Sequence, residues 1–411
     1  MPAGSRLPTP LRVLVGTQFG LYYTGNGLSL VGIWMQRIAC GWLVWSWTHS
    51  AFWLGILAAG DLLPVVAIGP LAGVAADRWN RLRQNILAQA ALALLATAVA
   101  WLLATDRLGL LGLVLLTAAQ GTLTAVIQPA RLAMVQQMVP REDLATAVAL
   151  NSVNINLARL LGPAIAGAMI LQFSIVWVFV ANAVANLVFV LVLLRLRLAP
   201  QHRHAGSQGF VQEMAEGFRY ILGARALCLI MLAMFCGGSM VRAIVELMPA
   251  IAAQTFAPGA TGLAMLTSAA AAGAVLSGLT LRPGPPAGML DRVLLCWGLG
   301  ALMAAVLVHA SSQAVAVAAA VAVGASITRG LVSTQTFVQL ATPDRLRGRV
   351  LSVHGLIARG SPALGALLLG GAADRFGLAR AATVSCGLLV VVLLALLRPA
   401  RAAARELRDL S

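Results

Sequence analysis

Residues 199–223, APQHRHAGSQGFVQEMAEGFRYILG, are the one long polar stretch of this sequence. On each side of it the apolar residues fall into six runs. Each run is close to the roughly 20 apolar residues that a membrane-spanning helix needs. The predicted spans are 15–46, 51–75, 84–104, 109–130, 144–171, 175–196, 224–252, 260–281, 292–309, 313–339, 350–372 and 379–398. We therefore expect an all-α membrane protein whose polar stretch separates two halves.

The second part of the polar stretch carries apolar residues at helical spacing. These residues are Phe210, Met214, Phe218 and Ile221. The spacing predicts a short amphipathic helix that lies on the inner membrane surface. The chain then divides into an N-terminal six-helix bundle (1–196), a cytoplasmic linker with this helix (197–223), a C-terminal six-helix bundle (224–398) and a basic cytoplasmic tail (399–411).

Composition excludes several classes of protein. Only 10% of the 411 residues are charged, whereas soluble globular proteins are about one quarter charged, so a soluble enzyme is excluded. All 29 basic residues are arginine, and without lysine there is no P-loop, which excludes an ATP-driven motor. The net charge of +16 is explained by membrane loops and does not indicate nucleic-acid binding. The five cysteines show no metal or disulfide spacing, and we expect neither metal nor cofactor.

Arginine residues concentrate in alternate loops, as in 78–83 after span 2 and 345–349 after span 10. Most of the loops between them carry no arginine. By the positive-inside rule both termini are predicted to be cytoplasmic. Two loops depart from the pattern, because arginines lie on the predicted outer side. The loop after span 3 has Arg107 beside Asp106, and the loop after span 11 has Arg375 and Arg380 near Asp374.

The two halves resemble each other at a shift of about 200 residues. VPREDLATAVALNSVNINLARLLGPAIAG in the first aligns with TPDRLRGRVLSVHGLIARGSPALGA in the second. The matched pairs are Pro140 with Pro343, Ser152 with Ser352, Arg159 with Arg359, and Pro163 with Pro362. Repeated six-helix halves are typical of a secondary transporter whose site lies between them.

Charged residues inside spans are costly and therefore informative, at about 3 kcal/mol each near mid-bilayer. They are Arg37, Asp61, Arg159, Arg242, Glu246, Arg329 and Arg359. Spans 3, 6, 9 and 12 carry no charge except at their ends. We therefore expect every third helix to be lipid-like and the others to surround a cavity.

Two predicted couples involve an acid. Arg37 and Asp61 lie at a similar depth in spans 1 and 2, so they can pair, and Arg242 and Glu246 are four residues apart on one helix face. These couples are either structural ion pairs or sites where Asp61 or Glu246 carries a proton. His354 in span 11 is a weaker protonation candidate.

The remaining cations favour an anionic or strongly polar substrate, since guanidinium groups bind carboxylate or phosphate at two points. Arg329 in span 10 is singled out as a substrate contact, with bonding to helix carbonyls or to Glu246 as the alternative. The other predicted cavity residues are Arg37, Asn156, Arg159 and Arg359. In span 5, Ser152, Asn156 and Arg159 share a face and precede Gly162, Pro163 and Gly167. Those three residues predict a bend or close helix packing.

GVAADRWNRLR, residues 73–83, resembles the motif between helices 2 and 3 of the major facilitator superfamily, with Gly73, Asp77, Arg78 and Arg81 matching. The resemblance extends over nearly the whole chain and is strongest to the enterobactin-exporter-like branch. It implies that Asp77 and Arg81 latch the cytoplasmic ends of the two halves, with Arg131 as the natural partner of Asp77. Asn80 departs from the motif, which has glycine there.

We therefore expect a bacterial inner-membrane exporter that moves a siderophore-like or drug-like molecule by proton antiport. The expected partners are the small-molecule substrate, protons and the lipid bilayer, for a chain that acts as a monomer without ATP. An uptake permease or a lysophospholipid flippase of the same fold remains open, and so does a sensor that binds substrate without flux. A membrane-embedded enzyme is disfavoured because the sequence has no H-E-x-x-H or G-x-S-x-G motif.

Overall fold

The computed structural model describes residues 9–198, 210–256, 259–280 and 286–409, without the side chains of 70–78, 210–211, 286–287, 404 and 406–409. Among the described residues, twelve helical segments are long and apolar enough to cross a membrane. The predicted all-α membrane protein with twelve spans is confirmed. The cytoplasmic placement of the termini stays a prediction.

The helices of the first half follow the predicted spans closely. They are α1 (Thr9–Gly16), α2 (Gln18–Thr48), α3 (Ala51–Arg78), α4 (Arg81–Ala104), α5 (Leu110–Met138), α6 (Leu144–Gln172) and α7 (Ile175–Arg195). A single 3-10 turn (Arg141–Asp143) precedes α6. Asn80, the departure from the superfamily motif, caps α4 because its Oδ1 accepts a hydrogen bond from the Arg83 amide at 3.0 Å.

The second half begins with the linker helix α8 (Phe210–Gly223). It continues with α9 (Arg225–Gly237), α10 (Ala243–Glu246), α11 (Met248–Thr255), α12 (Gly259–Leu279), α13 (Pro286–Val308), α14 (Gln313–Ala341), α15 (Asp344–Phe376) and α16 (Leu378–Asp409). The predicted linker helix is thus present. The Arg349 guanidinium on α15 donates to the Glu216 carboxylate on α8, and this ion pair ties the two helices together.

Span 7 is interrupted, which the apolar run 224–252 did not predict. A π-helical turn (Gly238–Arg242) follows α9. The short helix α10 ends at Glu246, and α11 begins at Met248 with Pro249 in its first turn. π-Turns within α-helices occur frequently at functional sites. Interrupted membrane helices also mark binding sites in transporters.

The helices form two compact units. The first contains Met1–Cys40 and Pro64–Ala205, and the second contains Gly41–Leu63 and Gly206–Ser411. Residues 41–63, the end of α2 and the beginning of α3, therefore pack with the second unit although they lie early in the sequence. The six-and-six division at residue 196 stays a prediction.

The core of the first unit is built around aromatic side chains. Phe19, Tyr22 and Phe189 are fully buried, and the rings of Tyr22 and Phe189 meet edge to face at 5.6 Å. The short helix α1 is fixed to this unit by an ion pair of 2.6 Å between Arg12 and Asp143. The aromatic contact joins α2 to α7, and the ion pair joins α1 to the 3-10 turn that precedes α6.

Candidate transport site

Two guanidinium groups meet one indole ring in the first unit. The Cζ atom of Arg37 lies 5.4 Å from the Trp34 ring centroid, and that of Arg159 lies 5.2 Å from it. Both distances fall within cation–π range. The structure thus brings together two predicted cavity residues. We call Trp34, Arg37 and Arg159 the cation cluster.

Local geometry explains how the cluster forms. Arg37 follows Trp34 by three residues on α2, so both lie on one helix face. Arg159 reaches the ring from α6 because Gly162, one turn later, has no side chain. A Cβ atom at Gly162 would stand 2.5 Å from the Trp34 Cβ and 3.1 Å from the Val31 carbonyl oxygen. Gly162 therefore allows α6 to approach α2 closely.

Two like charges beside one ring favour an anion between or near them. The Nε atom of Arg159 is buried and has no hydrogen-bond partner among the residues that the structure describes. A buried donor of this kind lacks the compensation that polar groups normally have. Because guanidinium groups bind carboxylates at two points, the cation cluster is suited to the acidic group of a small molecule.

We expect the Gly162→Ala substitution to separate the cation cluster. The new methyl group has no room beside Trp34, so α6 must shift, at a cost of about 2 kcal/mol in the free energy of unfolding. The melting temperature of the purified protein measures the effect. Gly112→Ala in α5 is the matched control, since its Cβ would meet only Leu108 at an ordinary 3.6 Å. Equal melting temperatures for the two variants would contradict the prediction.

The structure also places the other residues singled out in span 5. Asn156 donates to the Ser152 carbonyl at 2.8 Å, one turn before it on the same helix. Pro163 and Gly167 are buried, and α6 continues through Pro163 as one helix, although Pro163 has no N–H to donate to the carbonyl one turn before it. The predicted bend at Pro163 stays a prediction.

In the second unit, Arg242 lies at the end of the π-turn. Its Nη1 donates to the Ala358 carbonyl on α15 at 2.5 Å, next to the half-buried Arg359. Glu246 closes α10 four residues later and is also half-buried. The pairing of Arg242 with Glu246 stays a prediction, as does the pairing of Arg37 with Asp61.

Arg329 and His354 have distinct surroundings. Arg329 is exposed, and its Nη2 donates to the Thr280 hydroxyl at 2.7 Å, just after α12 ends. This bond is neither of the two alternatives that the sequence suggested, a helix carbonyl or Glu246. His354 is buried, and its Nε2 has no hydrogen-bond partner within the described parts of the chain. Substrate contact for Arg329 and protonation of His354 stay predictions.

The predicted cytoplasmic gate is described only in part. Gly73, Asp77 and Arg78 lie outside the residues whose side chains the structure describes. Arg81 is half-buried at the start of α4. Arg131 on α5 stacks on Phe189 at 5.3 Å and belongs to a larger arrangement.

Arg131 ends a network of polar side chains that sequence analysis missed. Its Nη2 donates to the Gln89 Oε1 at 2.7 Å. Gln89 Nε2 in turn donates to the Ser29 hydroxyl at 2.7 Å and to the Asn186 Oδ1 at 2.5 Å. We call Ser29, Gln36, Gln89, Gln120, Arg131, Asn182 and Asn186 the polar network.

The network continues away from Arg131. Asn186 donates to the Asn182 Oδ1 at 3.1 Å, Asn182 donates to the Gln36 Oε1 at 2.5 Å, and Gln36 donates to the Gln120 Oε1 at 2.5 Å. It therefore links α2, α4, α5 and α7. Gln120 and Arg131 are eleven residues apart on α5, or about 16 Å along the helix axis.

The expectation that every third helix is lipid-like is wrong for one face of spans 3 and 6. They carry no internal charge, but Gln89 of α4 and Asn182 and Asn186 of α7 are buried inside the first unit. The side chains of Gln89, Asn182 and Asn186 are neutral amides, so the distribution of charged residues does not reveal them. The signal that was available is the spacing of Asn182 and Asn186, four residues apart on one face of span 6.

The twelve apolar helices and their buried polar groups define a multi-pass membrane protein. Comparison with solved structures agrees. The nucleoside transporter NupG aligns with a TM-score of 0.71 at 12% identity, over 93% of this chain and 98% of that one. This likeness shows the fold.

Residues 9–409 match the model of the transmembrane secretion effector family, and the chain belongs to this family of major facilitator transporters. The Staphyloferrin A transporter of Staphylococcus aureus is 25% identical over 87% of this chain and 90% of its own length. The enterobactin exporter EntS of Escherichia coli is 25% identical over 92% of this chain and 91% of its own length. The resemblance to the enterobactin-exporter-like branch is confirmed, and membership in a transporter family supports a non-enzymatic role.

Proposed function

We propose that this protein exports a small organic anion, siderophore-like or drug-like, across the bacterial inner membrane by proton antiport with alternating access. The observation that carries the proposal is the cation cluster, in which Arg37 and Arg159 lie against Trp34 within the membrane-spanning helices. Two relatives that align over most of their length, a Staphyloferrin A transporter and an enterobactin exporter, support a siderophore-like substrate.

An anionic group fits the cluster for a physical reason. The Nε atom of Arg159 is buried without a hydrogen-bond partner among the described residues, and a guanidinium group inside a membrane helix is costly unless a partner or water offsets its charge. A carboxylate that enters the site supplies this compensation, and its departure removes it. The affinity for the substrate then depends on how close Arg37 and Arg159 are to each other in each state of the transporter.

Asp61 and Glu246 are the proposed proton carriers. Each takes a proton from outside, which weakens its predicted pair with Arg37 or Arg242. Arg37 already contacts Trp34 of the cation cluster, so a proton on Asp61 changes the charge balance next to the bound anion. Proton entry and substrate release are coupled in this way.

Asp77, Arg81 and Arg131 are the proposed cytoplasmic gate. The Nε of Arg131 is buried and lacks a hydrogen-bond partner among the described residues, while its Nη2 is held by Gln89. A guanidinium group whose Nη2 is held by Gln89 and whose Nε has no partner in the described part of the chain is suited to donate a further hydrogen bond to the Asp77 carboxylate. The gate holds the outward-open state closed at the cytoplasmic face.

We expect Asp61→Asn and Glu246→Gln together to make the export rate independent of the proton gradient, because amides carry no titratable proton at these positions. The rate at which inverted membrane vesicles accumulate the substrate, with and without an imposed proton gradient, measures the effect. Asp106→Asn, in an exposed turn, is the matched control. Full proton-coupled export by the double variant would refute the proton scheme.

The proposed function is tested by comparative mass spectrometry of medium and cell extract, with and without the gene, in iron-poor and iron-rich growth. We expect one compound to fall in the medium and rise in the cells when the gene is lost. A compound left in the medium would make the protein an importer. Accumulation of lysophospholipid outside the mutant cells would make it a flippase, and binding without flux would make it a sensor.

A further inference from the structure

The first turn of α3 is capped by a carboxylate from a distant helix. The Oδ1 of Asp374, near the end of α15, accepts a hydrogen bond from the Ala51 amide at 2.7 Å. Its Oδ2 accepts from the Ser50 hydroxyl at 2.5 Å and from the Phe52 amide at 3.4 Å. These contacts lie within the second unit.

This cap satisfies amides that a helix start otherwise leaves without partners. The Ser50 Oγ accepts from the Trp53 amide at 3.3 Å, so the amides of Ala51, Phe52 and Trp53 are all bonded. The negative carboxylate is also stabilised by the positive end of the helix dipole. Asp374 thus interacts with the start of α3 by both hydrogen bonds and charge.

Small residues bring α3 and α15 into backbone contact below the cap. A Cβ atom at Gly55 would stand 2.5 Å from the Ala366 carbonyl oxygen and 2.9 Å from the Leu367 Cα. A Cβ atom at Gly370 would stand 3.0 Å from the Phe52 Cα. Ala366, Gly370 and Asp374 follow one another at intervals of four residues, so they form a continuous seam along α15.

The same six-residue pattern occurs at both ends of the predicted membrane-spanning region. Residues 370–375 read GGAADR, and residues 73–78 of the predicted cytoplasmic gate read GVAADR. Asp374 therefore occupies the motif position of Asp77. The two aspartates lie at opposite ends of the predicted bilayer, since one ends span 2 and the other ends span 11.

We propose that Asp374 is a gating residue, which holds the segment 41–63 on α15 and releases it when the transporter opens on the outside. The inference rests on the proposed alternating access. The segment continues directly into the parts of α2 and α3 that belong to the first unit, so its release from α15 accompanies any opening at this end.

The geometry suits a contact that breaks and re-forms. Asp374 is exposed, so water replaces its hydrogen bonds when the helices separate, and no buried charge is left behind. Gly55 and Gly370 meet the backbone of the facing helix and have no side chains of their own to interlock. Loss of the carboxylate is expected to shift the equilibrium toward the released state about fivefold.

The test uses a cysteine-free background, in which the five native cysteines are replaced, with Ala51→Cys as a reporter. Ala51 is 4% exposed in the capped arrangement. We expect Asp374→Asn to raise the rate at which a membrane-impermeant maleimide labels this cysteine in intact cells by about fivefold. Asp374→Glu, which keeps the charge, restores part of the protection. Asp106→Asn, an exposed aspartate at the same predicted face, leaves the rate unchanged.

Equal labelling of the Asp374→Asn variant, the Asp106→Asn variant and the parent would overturn the proposal. Lost export without increased labelling would also overturn it, because Asp374 would then have a purely structural role. Labelling needs no substrate. It therefore tests whether Asp374 is a gating residue even if mass spectrometry shows no export. If the cysteine at position 51 is labelled only in inverted vesicles, the start of α3 faces the cytoplasm, and the assignment of this end to the outside would be overturned.

Discussion

Export falls by about tenfold or more when Arg159 is replaced by glutamine, since a charge-assisted contact to the substrate anion is lost. Arg37→Gln produces a similar loss because both guanidinium groups lie against Trp34. In the double variant the export rate falls by a smaller factor than the product of the two single-variant factors, since the two residues share one site. Initial export rates at equal amounts of protein in the membrane measure all three variants.

The control for this prediction is Arg107→Gln, in the exposed turn between α4 and α5. This substitution also removes one positive charge, but at a position outside the cation cluster. Melting temperatures separate a binding effect from misfolding, because loss of one cation–π contact costs only about 1 kcal/mol. Normal export by Arg159→Gln would exclude the cation cluster as the substrate site.

Gln89→Leu is expected to destabilise the first unit by about 2 to 3 kcal/mol. Gln89 makes hydrogen bonds to Ser29, Asn186 and Arg131. Each such bond in a membrane protein contributes about 0.6 kcal/mol on average, and removing Gln89 also leaves the cation of Arg131 without this partner. The thermal unfolding of the purified protein in detergent measures the change.

Two further variants make this prediction specific. Gln136→Leu changes an exposed glutamine on α5 and is expected to leave stability unchanged. Arg131→Leu added to Gln89→Leu removes the orphaned charge and is expected to recover part of the loss. If Gln89→Leu unfolds at the same temperature as Gln136→Leu, the polar network does not stabilise the first unit.

The site was predicted in part from sequence. Arg37 and Arg159 stood out because charges inside apolar spans are rare, and Gly162 stood out because it precedes proline in a span. Their common contact, Trp34, did not, because a tryptophan in an apolar span has many ordinary explanations. Spacing along one helix shows which residues share a face, but it does not show which helix lies opposite.

The sequence by itself determined the twelve spans, the helical linker and the residue types that carry charge into the membrane, because these follow from hydrophobicity and helical period. Only the tertiary structure decided which distant residues meet. Asp374 caps α3 across more than three hundred residues of sequence, and seven polar residues from four helices form one network. Such contacts arise from the packing of whole helices, because glycines allow two helices to approach closely and buried amides then find hydrogen-bond partners on other spans.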